Sequence, residues 1–395
     1  MIPGLLQIDR QERRSAALWG GLGRIGRMSF EARKKRAAGA AKAAGVDALL
    51  VTHLPDVRWL CGFTGSNAAL ALVWGKRAPA GKRAVLFTDG RYTAQAKAEA
   101  VGTRVVIAAK SAAIAACEWL AEAGVKRCGF DEGNTTVAAL KQMRAAVPAG
   151  VRRRMFEPVG PLVAKLRWVK DAGEIWKLRA AAALGCRLFE GAVETMQAGM
   201  TETAVAAELE HAARMAGAEA MSFPTIVASG ERSALPHGHA TGAKLPRRGF
   251  VTLDFGVVLD GYCSDMTRTV HLGPARPGER VAYDAVLEAQ EAGVAAVRAG
   301  VTAGDVDEAA RSVLQKAGLD QWFTHSTGHG VGLEIHEGPR LAAKQTQTLE
   351  AGMVVTIEPG VYMPGKFGVR IEDMVLVTAK GGEILTPSTK AWIEL

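Results

Sequence analysis

Residues Val251 to Val270, VTLDFGVVLDGYCSDMTRTV, set carboxylates into a run of apolar and β-branched side chains. Such a run suits a buried sheet, and an acid buried there without compensation either neutralises or destabilises the fold. Asp260-Gly261 at its middle is a strong short hairpin signal. A two-residue turn sets Asp254 opposite Thr267 and leaves Asp265 two residues from that partner. Both aspartates then share one face on diagonal positions, ~7 to 8 Å apart unless a bulge intervenes. Any fold that accepts this segment must bring a cation to it. Arg268 is the candidate within the segment, and a metal ion is the alternative.

Two later acids have the same character. Glu358 ends the apolar run MVVTIEPG, where Pro359 biases it toward extended geometry. Glu372 lies in GVRIEDMVLV, where a two-residue period puts Arg370 on the same strand face as a possible structural partner. Between these acids and the hairpin comes HSTGHGVGLEIHE, from His325 to Glu337, with three of the eight histidines of the chain. Its spacing is not the H-E-x-x-H of a zinc-protease helix, and Gly328, Gly330 and Gly332 would each cost a helix about 1 kcal/mol. A loop or strand is expected. Asp254, Asp265, Glu358 and Glu372 plus a histidine form an oxygen-rich set too large for one catalytic zinc, which takes three protein ligands. Two divalent cations match the charge of four carboxylates, and a pair ~3.5 to 4 Å apart can activate a shared water while polarising a carbonyl. The donor set suits manganese, with cobalt, zinc and iron as alternatives.

The rest of the 395 residues bounds the class. Hydrophobic residues make up 48%, enough for two or three cored domains. The net charge of +9 resides in the first part: residues 1–150 hold 23 Lys+Arg against 11 Asp+Glu, and the remainder 26 against 29. Its densest run, Arg33-Lys34-Lys35-Arg36, is predicted on the solvated face of a helix from Phe30 to Ala44, with Ser29 as cap and Gly45 as stop. Aromatic residues are 6% and do not interleave with that run, so no nucleic-acid partner is expected. Five scattered cysteines without a C-x-x-C motif point to reduced thiols and a cytoplasmic protein. The start carries Asp9 and Glu12 rather than a secretory apolar core, and no run is long enough to span a membrane. Gly21-Leu22-Gly23-Arg24-Ile25-Gly26 matches G-x-G-x-x-G but follows no strand, and is read as flexible chain within a basic start at 1–28.

Strand-like segments at Ala48–Thr52, Ala69–Trp74 and Ala84–Phe87 with a helix at Ala112–Ala123 predict an α/β amino-terminal domain over residues 1–160, closed by EPVGP. Over 161–395, helices at Ala172–Gln197 and Thr201–Ala216 precede apolar strands. A second pair at Gly278–Arg298 and Ala303–Lys316 does the same. The expectation is an α+β domain with a pseudo-twofold helix-helix-strand repeat.

With these segments in view, the chain resembles the pita-bread metallopeptidases, the creatinase, aminopeptidase and prolidase family. Asp254 in LDFG, Asp265 in SDMTRT, His329 in HSTGHGVGLEIHE, Glu358 in IEPG and Glu372 in RIED stand in the order of its five metal ligands. SALPHG with His237, LPDVRWLCGFTGS and LFTDGRYTAQA resemble the prolidase and aminopeptidase P branch, although Trp59 stands where a tyrosine is usual. The resemblance implies a pita-bread catalytic domain and two metal ions, one held by Asp254, the other by His329 and Glu358, with Asp265 and Glu372 bridging. It also implies Glu358 as general base, and His237 and His336 lining the substrate site. His325, Arg370 and Arg340 are candidate substrate contacts, Arg340 for a substrate carboxylate. The implied activity is hydrolysis of the Xaa-Pro bond, most simply in dipeptides, with removal of the first residue from longer Xaa-Pro peptides as the alternative. A homodimer is implied as well.

Overall fold

The computed structural model describes residues 19–74 and 83–395. They divide into two compact units, one ending at Arg167 and one running from Trp168 to Leu395. The division falls beyond EPVGP because a short helix, α6 (Leu162–Arg167), remains with the first unit. There Arg167 donates to Asp56 at 2.6 Å with both side chains buried, an attachment that leaves a buried charge unpaired if broken.

The first unit is built on a six-stranded mixed sheet in the order β4-β3-β2-β1-β5-β6. Its strands are β1 (Ala48–Val51), β2 (Ala69–Val73), β3 (Ala84–Thr88), β4 (Arg104–Ile107), β5 (Cys128–Phe130) and β6 (Phe156–Pro158). Helices α2 (Leu54–Cys61), α3 (Thr93–Glu99), α4 (Ala112–Glu122) and α5 (Val137–Ala145) lie between these strands in the chain, and α4 packs on their apolar residues, so that Leu50, Phe87, Leu120, Phe130 and Phe156 share one core. The three strands and one helix expected from the sequence are present. Strands β4 to β6, which run three or four residues each, are not among those expected from the sequence.

Helix α1 corrects three expectations. It spans Trp19–Ala43 and runs through Ser29, so Ser29 is no cap. Residues 21–26 are helical rather than flexible; the remainder of the expected flexible start, 1–18, lies outside the described residues. Once later turns are fixed by packing, propagation adds a hydrogen bond for each residue ordered, and this offsets the glycines. The basic run is only half solvated: Lys35 and Arg36 are exposed, whereas Arg33 and Lys34 are buried. Arg33 donates to the Trp59 carbonyl at 3.1 Å and lies over its ring at 5.0 Å. Lys34 donates to the carbonyls of Val101 and Gly102 at 3.1 and 2.7 Å. Long basic side chains can bury their stems while their heads reach backbone acceptors.

In the second unit, α7 (Ala172–Thr195) and α8 (Glu202–Met215) precede β7 (Ala220–Met221), β8 (Ile226–Ser229), β9 (Gly249–Phe255), β10 (Val257–Leu259), β11 (Tyr262–Cys263) and β12 (Met266–Leu272). Helices α9 (Pro277–Ala296) and α10 (Ala303–Lys316) then precede β13 (Gly328–Gly330), β14 (Glu337–Leu341), β15 (Val354–Ile357), β16 (Gly360–Met363), β17 (Phe367–Arg370), β18 (Asp373–Val377) and β19 (Gly382–Ile384). The helix-helix-strand order thus occurs twice. Three of the four helix starts carry a side-chain cap: Asp171 and Glu174 form a capping box, Thr201 caps α8, and Thr302 and Asp305 form a second box. Leu188, Phe189 and Leu209 pack on Leu253 and Phe255 in the first repeat, and Val306 packs with Val355 and Ile357 in the second.

The hairpin has the expected register, with Asp254 opposite Thr267 and Leu259 opposite Tyr262. Asp260 and Gly261 both have positive φ, 48° and 78°, as a type I′ turn requires. The ladder is interrupted at Gly256, where Ser264 Oγ replaces a strand carbonyl and accepts from Val257 N–H at 3.0 Å. A Cβ on Gly256 would overlap the Ser264 carbonyl.

Replacing Lys34 by alanine removes a charged donor from two carbonyls and is expected to cost about 1.5–3 kcal/mol. Lys35→Ala, on the exposed side of the same turn, should stay within about 0.5 kcal/mol. Urea unfolding of the full chain checks both, and equal effects would return the whole run to solvent.

Candidate metal centre

Three of the four acids lie where strands break, and the fourth lies at a strand end. Asp254 is the penultimate residue of β9, next to the Gly256 interruption. Asp265 falls between β11 and β12, Glu358 between β15 and β16, and Glu372 between β17 and β18. Glu372 was expected within a strand running on from Arg370; instead the chain leaves β17 there and Glu372 N–H donates to the Thr267 carbonyl at 3.1 Å. Glu358 N–H donates to the Thr327 carbonyl at 2.8 Å in the same way. At such breaks a carboxylate can turn toward a common centre while its backbone stays anchored. His329 comes from the middle of β13, so HSTGHG is strand and loop as expected. Its flanking glycines let neighbouring strands approach: a Cβ at Gly328 would overlap the Thr356 carbonyl and one at Gly330 the Gly338 carbonyl.

These residues converge. Asp265, His329 and Glu372 each offer a ligand atom within 4.8 Å of one another. His329 Nε2 lies 3.5 Å from Asp265 Oδ2 and 3.4 Å from Glu358 Oε1. Asp254 joins through Arg370, whose guanidinium donates to Asp254 Oδ2 and, at 3.1 Å, to Thr267 Oγ1. Thr267 Oγ1 in turn donates to Glu372 Oε2 at 2.7 Å. Arg370 therefore grips Asp254 directly and Glu372 through Thr267. Arg268, the sequence candidate for pairing Asp254, turns the other way: strand alternation places it on the opposite face, where it donates to Asp373 at 2.8 Å and to the carbonyls of Thr386 and Ser388.

Electrostatics show what the cluster needs. With all four carboxylates ionised against one guanidinium, the centre carries an excess of three negative charges. Burial, with the charges of Glu372, Asp254 and Glu358, pushes the Asp265 carboxyl well above the usual range. Burial does the same to Glu372, and pushes Glu358 up to about 8 although Arg370 opposes the shift. Burial pushes His329 down to about 4, so its ring is neutral at pH 7. Its Nδ1–H donates to the Gly330 carbonyl at 3.0 Å, which leaves the Nε2 lone pair facing carboxylate oxygens. Asp254 Oδ1 is buried without a hydrogen-bond partner. A lone pair facing carboxylates and an orphaned carboxylate oxygen are what a cation site looks like from its protein side, and the five donors fit hard divalent ions.

The other expected site residues separate into two groups. His237 and His336 are exposed and open to a substrate, and the His336 ring meets His329 edge to face with centroids 4.4 Å apart. Arg340 is exposed on β14. His325 and Arg370 are instead engaged within the protein: His325 Nδ1–H donates to the Ser326 carbonyl at 2.8 Å and Nε2 accepts from Tyr362 Oη at 2.9 Å. Tyr362 Oη accepts from Arg370 Nη1 at 2.7 Å, which also donates to the Pro236 carbonyl at 3.1 Å. Sequence reasoning missed Thr267, Thr356 and Tyr362. Thr356 Oγ1 accepts from His329 N–H at 3.1 Å and donates to Glu358 Oε1 at 3.2 Å. The available signal for Thr267 and Thr356 was a hydroxyl two residues from a site acid.

Because the folded acids hold protons that the unfolded chain releases near pH 4.5, their contribution to stability is present at low pH and lost as pH rises toward 8. Chelator-treated protein should melt at a lower temperature at pH 8 than at pH 6.5, and saturating Mn2+ should abolish that difference while releasing protons on binding. Calorimetric scans with and without the ion test this, and a metal-free melting point that rises over the interval would contradict it.

Comparison with known proteins agrees with the geometry. Residues 177–379 match the model of metallopeptidase family M24, and residues 33–169 that of the creatinase/prolidase N-terminal domain. The Xaa-Pro dipeptidase of Pyrococcus furiosus is 42% identical over 235 residues, covering 60% of this chain and 68% of that protein. The solved structure of an Xaa-Pro dipeptidase from Bacillus anthracis matches with a TM-score of 0.87 at 39% identity, covering 93% of this chain and all of that one. That of an X-Pro aminopeptidase from Thermotoga maritima matches with a TM-score of 0.81 at 34% identity, covering 90% and 99%. The chain therefore belongs to metallopeptidase family M24, carried behind an N-terminal domain of the creatinase/prolidase type.

Proposed function

We propose that the protein hydrolyses the Xaa-Pro peptide bond, with Xaa-Pro dipeptides as its substrates, using two divalent cations held by Asp254, Asp265, His329, Glu358 and Glu372. The observation that carries the site is the gathering of three buried acids and the part-exposed Glu358 around the unprotonated face of His329, with an Asp254 oxygen left unpartnered. Relatives bearing the Xaa-Pro dipeptidase name supply the substrate class. Asp254 would serve one cation, His329 and Glu358 the other, and Asp265 and Glu372 both; manganese is the proposed metal. When bound, the pair supplies Lewis-acid polarisation of the scissile carbonyl and lowers the pKa of a water at the site.

The side chains of the chain do the rest. Glu358 takes the proton of the attacking water and delivers it to the leaving proline nitrogen. His237 and His336, both exposed, donate hydrogen bonds to the carbonyl oxygen as it gains charge. Arg370 and Tyr362 keep Asp254 and the Pro236 carbonyl in register, and Arg340 offers a fork for the substrate carboxylate. A bond before proline is a tertiary amide without N–H, so an enzyme acting through the carbonyl accepts it, in the trans isomer. None of the five cysteines forms a disulfide, which supports a reducing, cytoplasmic setting, and no helix among the described residues is long and apolar enough to cross a membrane. A homodimer is proposed with the family assignment. The likeness to an X-Pro aminopeptidase favours a second reading, removal of the first residue from longer Xaa-Pro peptides.

Rates on an Xaa-Pro dipeptide and an Xaa-Pro-Xaa tripeptide, each with chelator and with Mn2+, distinguish the two. The dipeptide is expected to be cut faster and only with metal; preference for the tripeptide selects the second reading. Asp265→Ala should lose more than the ~100-fold typical of damage to a residue supporting a ligand, and retention of full activity would remove it from the site.

A further inference from the structure

The two repeats carry the same polar device away from the metal ligands. In the first, Glu202 opens α8 with no exposed surface. Its Oε1 accepts from Ser229 N–H and Oγ, each at 2.9 Å, and its Oε2 from Thr241 N–H and Oγ1 at 3.1 and 2.8 Å. Arg232 Nε donates to Glu202 at 3.1 Å while its Nη2 holds the His239 carbonyl at 2.8 Å. In the second, Asp307 lies on α10, also with no exposed surface. It accepts from Thr327 N–H and Oγ1 at 3.1 and 2.8 Å, and from Arg311 Nε at 3.0 Å. Arg311 Nη2 holds the His325 carbonyl at 3.0 Å.

The correspondence is one of parts. A fully buried acid on the second helix of each repeat receives the N–H and hydroxyl of a Ser or Thr, and an arginine that bridges from the acid to the carbonyl of a histidine. Such an acid is saturated by charge-assisted bonds, which fix geometry more firmly than neutral ones. What each clasp closes differs. Ser229 and Thr241 bracket the loop that carries exposed His237. Thr327 lies two residues before His329, and its carbonyl also anchors Glu358 N–H.

We infer that Glu202–Arg232 and Asp307–Arg311 are paired positioning clasps, the first setting the substrate-facing His237 loop and the second setting the His329–Glu358 side of the metal site. The first half rests on the Xaa-Pro reading; the second does not, because metal binding reads it directly. Both arginines are part-exposed, with 32% and 27% of their side chains accessible, so each can be changed without opening the core.

The test crosses two variants with two readouts, in full-length protein whose melting temperature is recorded. Arg311→Met should weaken Mn2+ binding, measured by titration calorimetry, by about 10–100-fold, as loss of support behind a ligand does. Arg232→Met should leave Mn2+ affinity within about twofold of the parent and raise KM for an Xaa-Pro dipeptide about tenfold or more. It should add nothing further to His237→Ala, because the two changes act through one loop. Arg232→Lys and Arg311→Lys keep the charge but cannot bridge acid and carbonyl as a fork, and should show the same split more weakly. The inference is overturned if Arg311→Met and Arg311→Lys bind Mn2+ like the parent, if both arginine positions alter only the melting temperature, or if the losses from Arg232→Met and His237→Ala simply add. A parent that binds Mn2+ but cuts no Xaa-Pro peptide would defeat the functional reading alone, with the calorimetric arm at Arg311 still deciding the second clasp.

Discussion

The second unit is organised around Arg370, a buried guanidinium set among buried carboxylates. It donates to Asp254, Thr267, Tyr362 and the Pro236 carbonyl. One fork thereby ties together β9, β12, β16 and the segment bearing His237. Four acids would repel one another if nothing intervened, and one guanidinium cannot neutralise them. The residual charge gives the cluster its affinity for cations, and the fixed fork gives it a shape for them to enter.

A second constraint follows from where the acids sit in the backbone. Asp265, Glu358 and Glu372 occupy the short breaks at which the chain passes from one strand to the next. Inside a regular strand, alternate side chains face opposite ways, so one face would gather acids in a row rather than around a point. Breaks relax that rule, and the exposed backbone they create is recovered by specific bonds: Glu358 N–H to Thr327, Glu372 N–H to Thr267. Threonine hydroxyls on the same strands then orient the carboxylates, Thr267 toward Glu372 and Thr356 toward Glu358. Outside this shell, the Arg268–Asp373 pair holds the carbonyl of Glu372 and fastens the segment from Thr386 to Thr389 beneath it.

Much of this was legible in the residues. The hairpin register followed from Asp260-Gly261, because a two-residue turn of positive φ leaves one way to pair the flanking strands. The four long helices of the second unit were legible as two pairs preceding strands, with ends within two residues of those observed. The need for a positive partner followed from acids in apolar surroundings, with an arginine and a metal ion both able to supply it. Less legible were the limits of α1, where packing of later turns outweighs glycine propensity, and the burial of Arg33 and Lys34, whose acceptors lie on distant segments.

The amino-acid sequence by itself determined which donors exist, that they would be buried, and that a divalent pair matches their charge; all of this follows from local composition and alternation. Tertiary structure decided who faces whom. Arg370 rather than Arg268 pairs with Asp254, and His325 is held by Ser326 and Tyr362 while His336 is exposed. Buried acids on two helices clasp the histidine segments of their own repeats. These choices depend on contacts between residues well separated in the chain, from 20 positions for Asp307 with Thr327 to more than a hundred for Asp254 with Arg370 and Thr267 with Glu372. Pairings at that separation are set by how strands and helices pack, which the periodicity of any single segment does not encode.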